Sequence, residues 1–155
     1  MSKVEELVSR LIELKYTITT AESCTGGMIS SALVDVSGAS NVVNECHVTY
    51  SNEAKVRYLG VKEETLVQFG AVSEQTAYEM AKGASGIARA DVAVGVTGLA
   101  GPGGGTEQKP VGLVYVGYCI NGDVEVIKYN FSGNRTEIRK QTTKKVIEHL
   151  LELLG

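Results

Sequence analysis

In TAESCTGG, residues 20 to 27, a carboxylate, two hydroxyls and a thiol stand side by side ahead of a glycine pair. Hydroxyls and N–H groups at a helix start, where the macrodipole is positive, form an anion site, and Ser23 is also a candidate nucleophile. The same residue types serve as ordinary helix caps, so this stretch alone leaves ligand binding and capping equally open. Glu22 opposes a bare phosphate cradle by its charge, although it could accept hydrogen bonds from ribose hydroxyls. Thr25, Gly26 and Gly27 are the remaining candidate binding groups. Cys24 reads as a packed thiol, because no histidine partner is in view to activate it.

A second stretch, YSNEAK, residues 50 to 55, puts Lys55 in the opening turns of an expected helix. There the positive end of the dipole disfavours the ammonium form and suits the amine to act as a base. A hydroxyl activated by a lysine, with Tyr50 relaying or steadying the proton, is an alternative to Ser-His-Asp chemistry. The competing reading of Lys55 is a solvated helix lysine. His47, inside an expected strand, and His149, in the last turns of the terminal helix, do not readily supply a triad. Ser40, at the end of the turn SGAS, competes with Ser23 as the hydroxyl that Lys55 would activate.

Residues 96 to 112, VTGLAGPGGGTEQKPVG, leave a buried strand at the edge where α/β sheets usually meet their ligands. Thr97 would present its hydroxyl there, and Gly98 and Gly101 would let backbone N–H groups approach an anion or an oxyanion. The loop is neither a GxGxxG fingerprint nor a P-loop. Arg135 and Arg139 lie one turn apart near the start of the last helix, against the dipole, a placement that makes sense with a phosphate or carboxylate between them.

The elements that must carry these groups are legible from pattern. SKVEELVSRLIELK is a helix with a Ser2/Glu5 capping box, YTITTAES a short strand, and GGMISSALVDV a helix beginning at the glycines. VVNECHVTY has strand composition. SNEAKVRYLG is a helix capped by Ser51 and stopped by Gly60, and SEQTAYEMAKGASGIARA one capped by Ser73, with Gly83 and Gly86 permitting close packing. DVAVGVTG is a buried strand. VGLVYVGYCI and VEVIKYNF flank Asn121-Gly122 as a hairpin with a type I′ turn, and NRTEIRKQTTKKVIEHLLELL closes the chain as a helix with an Asn134/Glu137 capping box. The expectation is a single domain over residues 1–155, a three-layer α/β/α architecture whose mixed sheet includes that antiparallel hairpin.

Composition narrows the function classes. With 155 residues, 43% hydrophobic, 21% charged and a net charge of −3, the chain is long enough for a real core and lacks the basic excess that direct nucleic-acid binding rests on. No apolar run reaches the ~20 residues of a membrane span, and the N-terminus lacks a signal-peptide core, so a cytoplasmic location is expected. Cys24, Cys46 and Cys119 form no CxxC pair, which indicates neither a disulfide framework nor a zinc site.

Taken in order, AESCTGG, SGAS, VTYSNEAK, GAVSEQTA, VTGLAGPGGGT with KPVG, and GNR resemble the blocks of one family over nearly the whole chain. That family is the C-terminal domain of competence/damage-inducible protein CinA, with its stand-alone relatives, the nicotinamide-mononucleotide amidohydrolases. The resemblance implies hydrolysis of the carboxamide of nicotinamide mononucleotide in pyridine-nucleotide salvage, without metal or cofactor. By position it implies Lys55 and Tyr50 as catalytic groups with Ser40 as nucleophile and Ser23 as its rival. Glu22, Thr25, Gly26, Gly27, Thr97, Gly98, Gly101 and Arg135 are placed around a small nucleotide substrate. Ala39 stands where relatives often have serine, and Asn134 where they often have aspartate. A homo-oligomer is expected from the size and class. The alternatives are a non-catalytic pyridine-nucleotide-binding module and an interaction protein tied to competence or DNA damage.

Overall fold

Four helix starts are set by the side chain that precedes them. Ser2 and Asn134 complete reciprocal capping boxes with Glu5 and Glu137, while Ser51 and Ser73 accept the N–H groups of Ala54 and Thr76. A computed structural model describes residues 1–155. The chain runs α1 (Lys3–Leu14), β1 (Ile18–Glu22), α2 (Met28–Val34), a 3-10 turn at Ala39–Asn41, β2 (His47–Val48), α3 (Asn52–Leu59), α4 (Glu63–Phe69), α5 (Glu74–Ala88), β3 (Val92–Gly98), β4 (Leu113–Ile120), β5 (Asp123–Asn130) and α6 (Arg135–Leu154).

The sheet order is β2-β1-β3-β4-β5. β1 is parallel to both β2 and β3, whereas β4 is antiparallel to β3 and β5, so the expected mixed sheet with its hairpin is what forms. Asn121 and Gly122 both take positive φ, 49° and 89°, as a type I′ turn requires. Alternation along β3 splits the core. Val92, Val94 and Val96 pack with Leu7, Leu11, Ile29, Ile138 and Val146 under α1, α2 and α6, while Ala93 joins Met80, Ala81 and Leu59 under α5 and α3. Each fully buried aliphatic side chain contributes about 1.5–3 kcal/mol.

The α5 face is built from small residues because the helix lies almost on the sheet. Gly95 and Gly117 are paired across β3 and β4, and a Cβ on either would fall 2.5 Å from the α5 backbone. Within α5, Gly83 is close-packed as expected: a Cβ there would lie 1.9 Å from the Leu59 carbonyl oxygen, whereas Gly86 meets nothing within 4 Å. Gly86→Ala is therefore expected to stabilise by up to about 1 kcal/mol through helix propensity. Gly83→Ala, in the same helix, should destabilise by about 1–3 kcal/mol through overpacking. Urea titration of the two variants checks the opposite signs.

Two segments differ from the pattern-based expectation. VVNECHVTY forms a ladder only at His47–Val48, with an isolated bridge between Val43 and Ile18; between them the Glu45 carbonyl accepts the Thr19 hydroxyl at 2.8 Å instead of a ladder N–H. Residues 63–69, unassigned from sequence, form α4. Its start has no capping side chain of its own, and Glu79 of α5 instead accepts the Lys62 N–H at 2.8 Å and the Thr65 hydroxyl at 2.6 Å. A cap supplied from a distant helix leaves no local signal.

Candidate active site

β1 and β2 are parallel neighbours whose chains leave toward opposite faces, β1 into α2 and β2 into α3–α5, and this opens a crevice at their C-terminal ends. A cleft of about 240 Å³ lies there. Its walls come from the turn after β1 (Ser23, Cys24), the start of α3 (Tyr50, Asn52, Lys55), the loop at Ala71–Val72, the end of β3 with the glycine loop (Thr97, Gly98, Gly101), and Arg135. No acidic side chain lines it.

Lys55 is the buried charge-bearing group at the floor. The Ser51 cap starts α3 so that the fourth helical residue projects back toward the end of β1, and the side chain is 1% exposed. Its Nζ lies 3.2 Å from Ser23 Oγ and donates to the Tyr50 carbonyl at 3.1 Å. Ser23 Oγ also lies 3.4 Å from that carbonyl. Lys55 belongs to none of the chain's ion pairs. Burial, uncompensated by a carboxylate, pulls its pKa below the ordinary lysine value. A neutral amine can keep one N–H on the Tyr50 carbonyl and turn its lone pair to the Ser23 hydroxyl, which is the arrangement of a general base and its nucleophile.

The structure does not bring Ser40 to this pair. Ser40 lies in the 3-10 turn, whose continuation at Val42 accepts the N–H of Ile18 at the start of β1, and it lines a separate cavity with Ile18 and Arg89. Ser23 follows the other end of β1, about 13 Å along the strand. The expectation of Ser40 as the hydroxyl activated by Lys55 is corrected on that ground.

Glu22 is also not where ribose binding would need it. Its carboxylate is fully buried and accepts from Thr25 Oγ1 at 2.7 Å, Ile29 N at 2.9 Å, Thr20 Oγ1 at 3.0 Å and Ser30 N at 3.0 Å. The anion at the N-terminus of α2 is the protein's own. Thr25 is buried with its hydroxyl on Glu22, and Gly26 and Gly27, both at positive φ, turn the chain into α2 without lining the cleft. Of TAESCTGG, Ser23 and Cys24 reach the cleft. Burial pushes the Cys24 thiol up to about 11, in keeping with a packed thiol.

The Tyr50 phenol is turned away from the lysine, to Arg135 Nη2 at 3.1 Å, so the main-chain carbonyl of Tyr50 holds Lys55. Arg135 donates through Nη1 to the Gly101 carbonyl at 2.7 Å and so ties the glycine loop to the cleft mouth. Arg139 does not share an anion with it: Nε and Nη2 donate to the carbonyls of Cys24 and Thr25 at 2.8 and 3.0 Å, fixing the turn that carries Ser23. Thr97 lines the cleft but donates its hydroxyl to the Ala71 carbonyl at 2.8 Å, positioning the loop opposite. The main-chain N–H groups of Ala71, Val72, Ala100 and Gly101 donate to nothing within the chain and stand free around the cleft.

Asn52, the 71–72 loop and the clamp made by Arg139 were not anticipated. Asn52 had a usable signal in its position three residues before Lys55. Arg139 stood out by its spacing from Arg135 and residues 71–72 lie in the block GAVSEQTA, but their partners depend on how α6 and α4 pack.

The CinA C-terminal domain matches residues 1–154. A Clostridium perfringens protein described as a competence-damage inducible protein is 53% identical over 148 residues, 95% of this chain and 36% of that protein. A similarly described protein of Clostridium acetobutylicum is 56% identical over 142 residues, 92% of this chain and 34% of its own length. The chain thus spans about a third of these curated relatives. A solved competence/damage inducible protein from Agrobacterium tumefaciens superposes with a TM-score of 0.93 at 47% identity, covering 100% of this chain and 98% of that one. A competence or damage-inducible protein from Enterobacter asburiae gives 0.94 at 38% identity, with both chains covered completely.

Proposed function

This chain belongs to the CinA C-terminal domain family, and on that premise we propose that it hydrolyses the carboxamide of nicotinamide mononucleotide to nicotinate mononucleotide and ammonia. The observation that carries the reading is the buried, unpaired Lys55 amine 3.2 Å from the Ser23 hydroxyl in an acid-free cleft. Lys55 takes the Ser23 proton as Oγ bonds to the carboxamide carbon, and free N–H groups of the cleft wall stabilise the oxyanion. Collapse breaks the C–N bond while Lys55 returns the proton to the departing nitrogen, releasing ammonia. Water, deprotonated by the same amine, then attacks the acyl-serine, and the carboxylate leaves as Ser23 regains its proton. Arg135 and the absence of acidic side chains suit an anionic substrate.

Ammonia release from nicotinamide, its riboside, its mononucleotide and the dinucleotide tests the proposal. The mononucleotide should exceed the riboside in kcat/KM by about tenfold or more, the scale of a lost charge-assisted contact. Binding without turnover would overturn it in favour of a nucleotide-binding module.

The pH profile is a second check. The working form of Lys55 is neutral, and burial depresses its pKa, so kcat/KM should rise with pH along a limb centred below the ordinary lysine value. A limb at that ordinary value would argue against Lys55 as the base.

A further inference from the structure

Most polar side chains around the cleft are already committed. Ser23 and Lys55 hold each other and the Tyr50 carbonyl, the Tyr50 phenol meets Arg135, and Thr97 holds Ala71. Asn52 differs: it stands at the rim of the cleft, between it and a second groove along α3 and α4, is exposed, and its side chain makes no hydrogen bond to any other group of the chain. It is the first residue of α3, three before Lys55, so helix geometry puts both side chains on one face. At the rim of the cleft, one helical turn from the base, stands a carboxamide offering both a donor and an acceptor.

We propose that Asn52 is a specificity-determining residue that reads the amide of the substrate, its Oδ1 accepting an N–H of the carboxamide nitrogen that leaves as ammonia. The inference rests on the amidohydrolase reading and deepens it. An amide nitrogen presents two N–H donors, and the base and nucleophile approach the carbonyl carbon without using them. An acceptor beside Lys55 orients that nitrogen so that its developing lone pair faces the amine that will protonate it. An ester oxygen has no hydrogen to give, so the same contact is worth nothing for an ester of the same nucleotide. Sites that hydrogen-bond a substrate N–H discriminate strongly against analogues lacking it.

The test compares ammonia release from nicotinamide mononucleotide with hydrolysis of the methyl ester of nicotinate mononucleotide, in the wild type, Asn52→Ala and Asn52→Asp. Alanine at an exposed first helical position should leave the fold intact, which thermal unfolding verifies. Asn52→Ala should lose about tenfold to 100-fold in kcat/KM on the amide and less than about threefold on the ester, the loss of one substrate hydrogen bond. Asn52→Asp retains the acceptor and should keep the amide preference. Its added charge near Lys55 should move the rising pH limb upward. Equal losses on amide and ester, or no loss on the amide, overturn the role of Asn52 while leaving the hydrolase reading intact. A wild type that releases no ammonia from the mononucleotide overturns both.

Discussion

Ser23→Ala and Lys55→Met should each lower the proposed amidohydrolase rate by about 10³-fold or more, while Ser40→Ala stays within about threefold of the parent. The contrast follows from geometry. Ser23 Oγ is the hydroxyl within 3.2 Å of the buried amine, and Ser40 sits in another cavity at the far end of β1. Mass spectrometry of a quenched reaction should find the acyl mass on the peptide that contains Ser23. A Ser40→Ala variant as damaged as Ser23→Ala, or full activity without Lys55, would sink the assignment.

Lys55→Met carries a second expected result, in stability. A buried base whose folded pKa lies below its unfolded value binds its proton less tightly when folded, so its contribution to stability improves as pH rises through the interval between the two. Below that interval both states are protonated and the full desolvation penalty applies. The methionine variant should therefore be more stable than the parent near neutral pH, with the gain shrinking as pH approaches the ordinary lysine range. Urea midpoints across pH measure this, and they would show stability given up for the base.

Glu22→Ala should destabilise the protein by about 3–5 kcal/mol. The substitution removes an acceptor from four donors at once, the hydroxyls of Thr20 and Thr25 and the N–H groups of Ile29 and Ser30, all near a carboxyl group that no water reaches. It also deletes the negative charge at the start of α2. Glu22→Gln keeps the volume but turns an NH2 toward donors, so an intermediate loss is expected. Denaturant unfolding with an unchanged m-value is the appropriate measurement. A loss under about 1 kcal/mol for Glu22→Ala would mean that the turn reorganises and rehydrates its donors.

Much of the framework was legible because it is written in local chemistry. Ser2, Ser51, Ser73 and Asn134 cap the helices expected of them, and Asn121-Gly122 makes the hairpin turn. Lys55 was legible too, since the Ser51 cap alone sets its place in α3. By contrast α4 was invisible, its cap being Glu79 from another helix, and Gly83 and Gly86 were indistinguishable until Leu59 was packed against one of them.

Residue order by itself determined most of the elements, the family blocks and the place of Lys55 in the opening turn of α3, because caps, period and turn preferences act over a few neighbouring residues. Tertiary structure alone decided which serine meets that lysine, that Glu22 serves α2 instead of a ligand, and that the Tyr50 carbonyl rather than its phenol holds Nζ. These outcomes depend on strand order and on which end of β1 each turn occupies. Hydrogen bonds form over about 3 Å, and only the packed chain brings residues 23, 50 and 55 within that range.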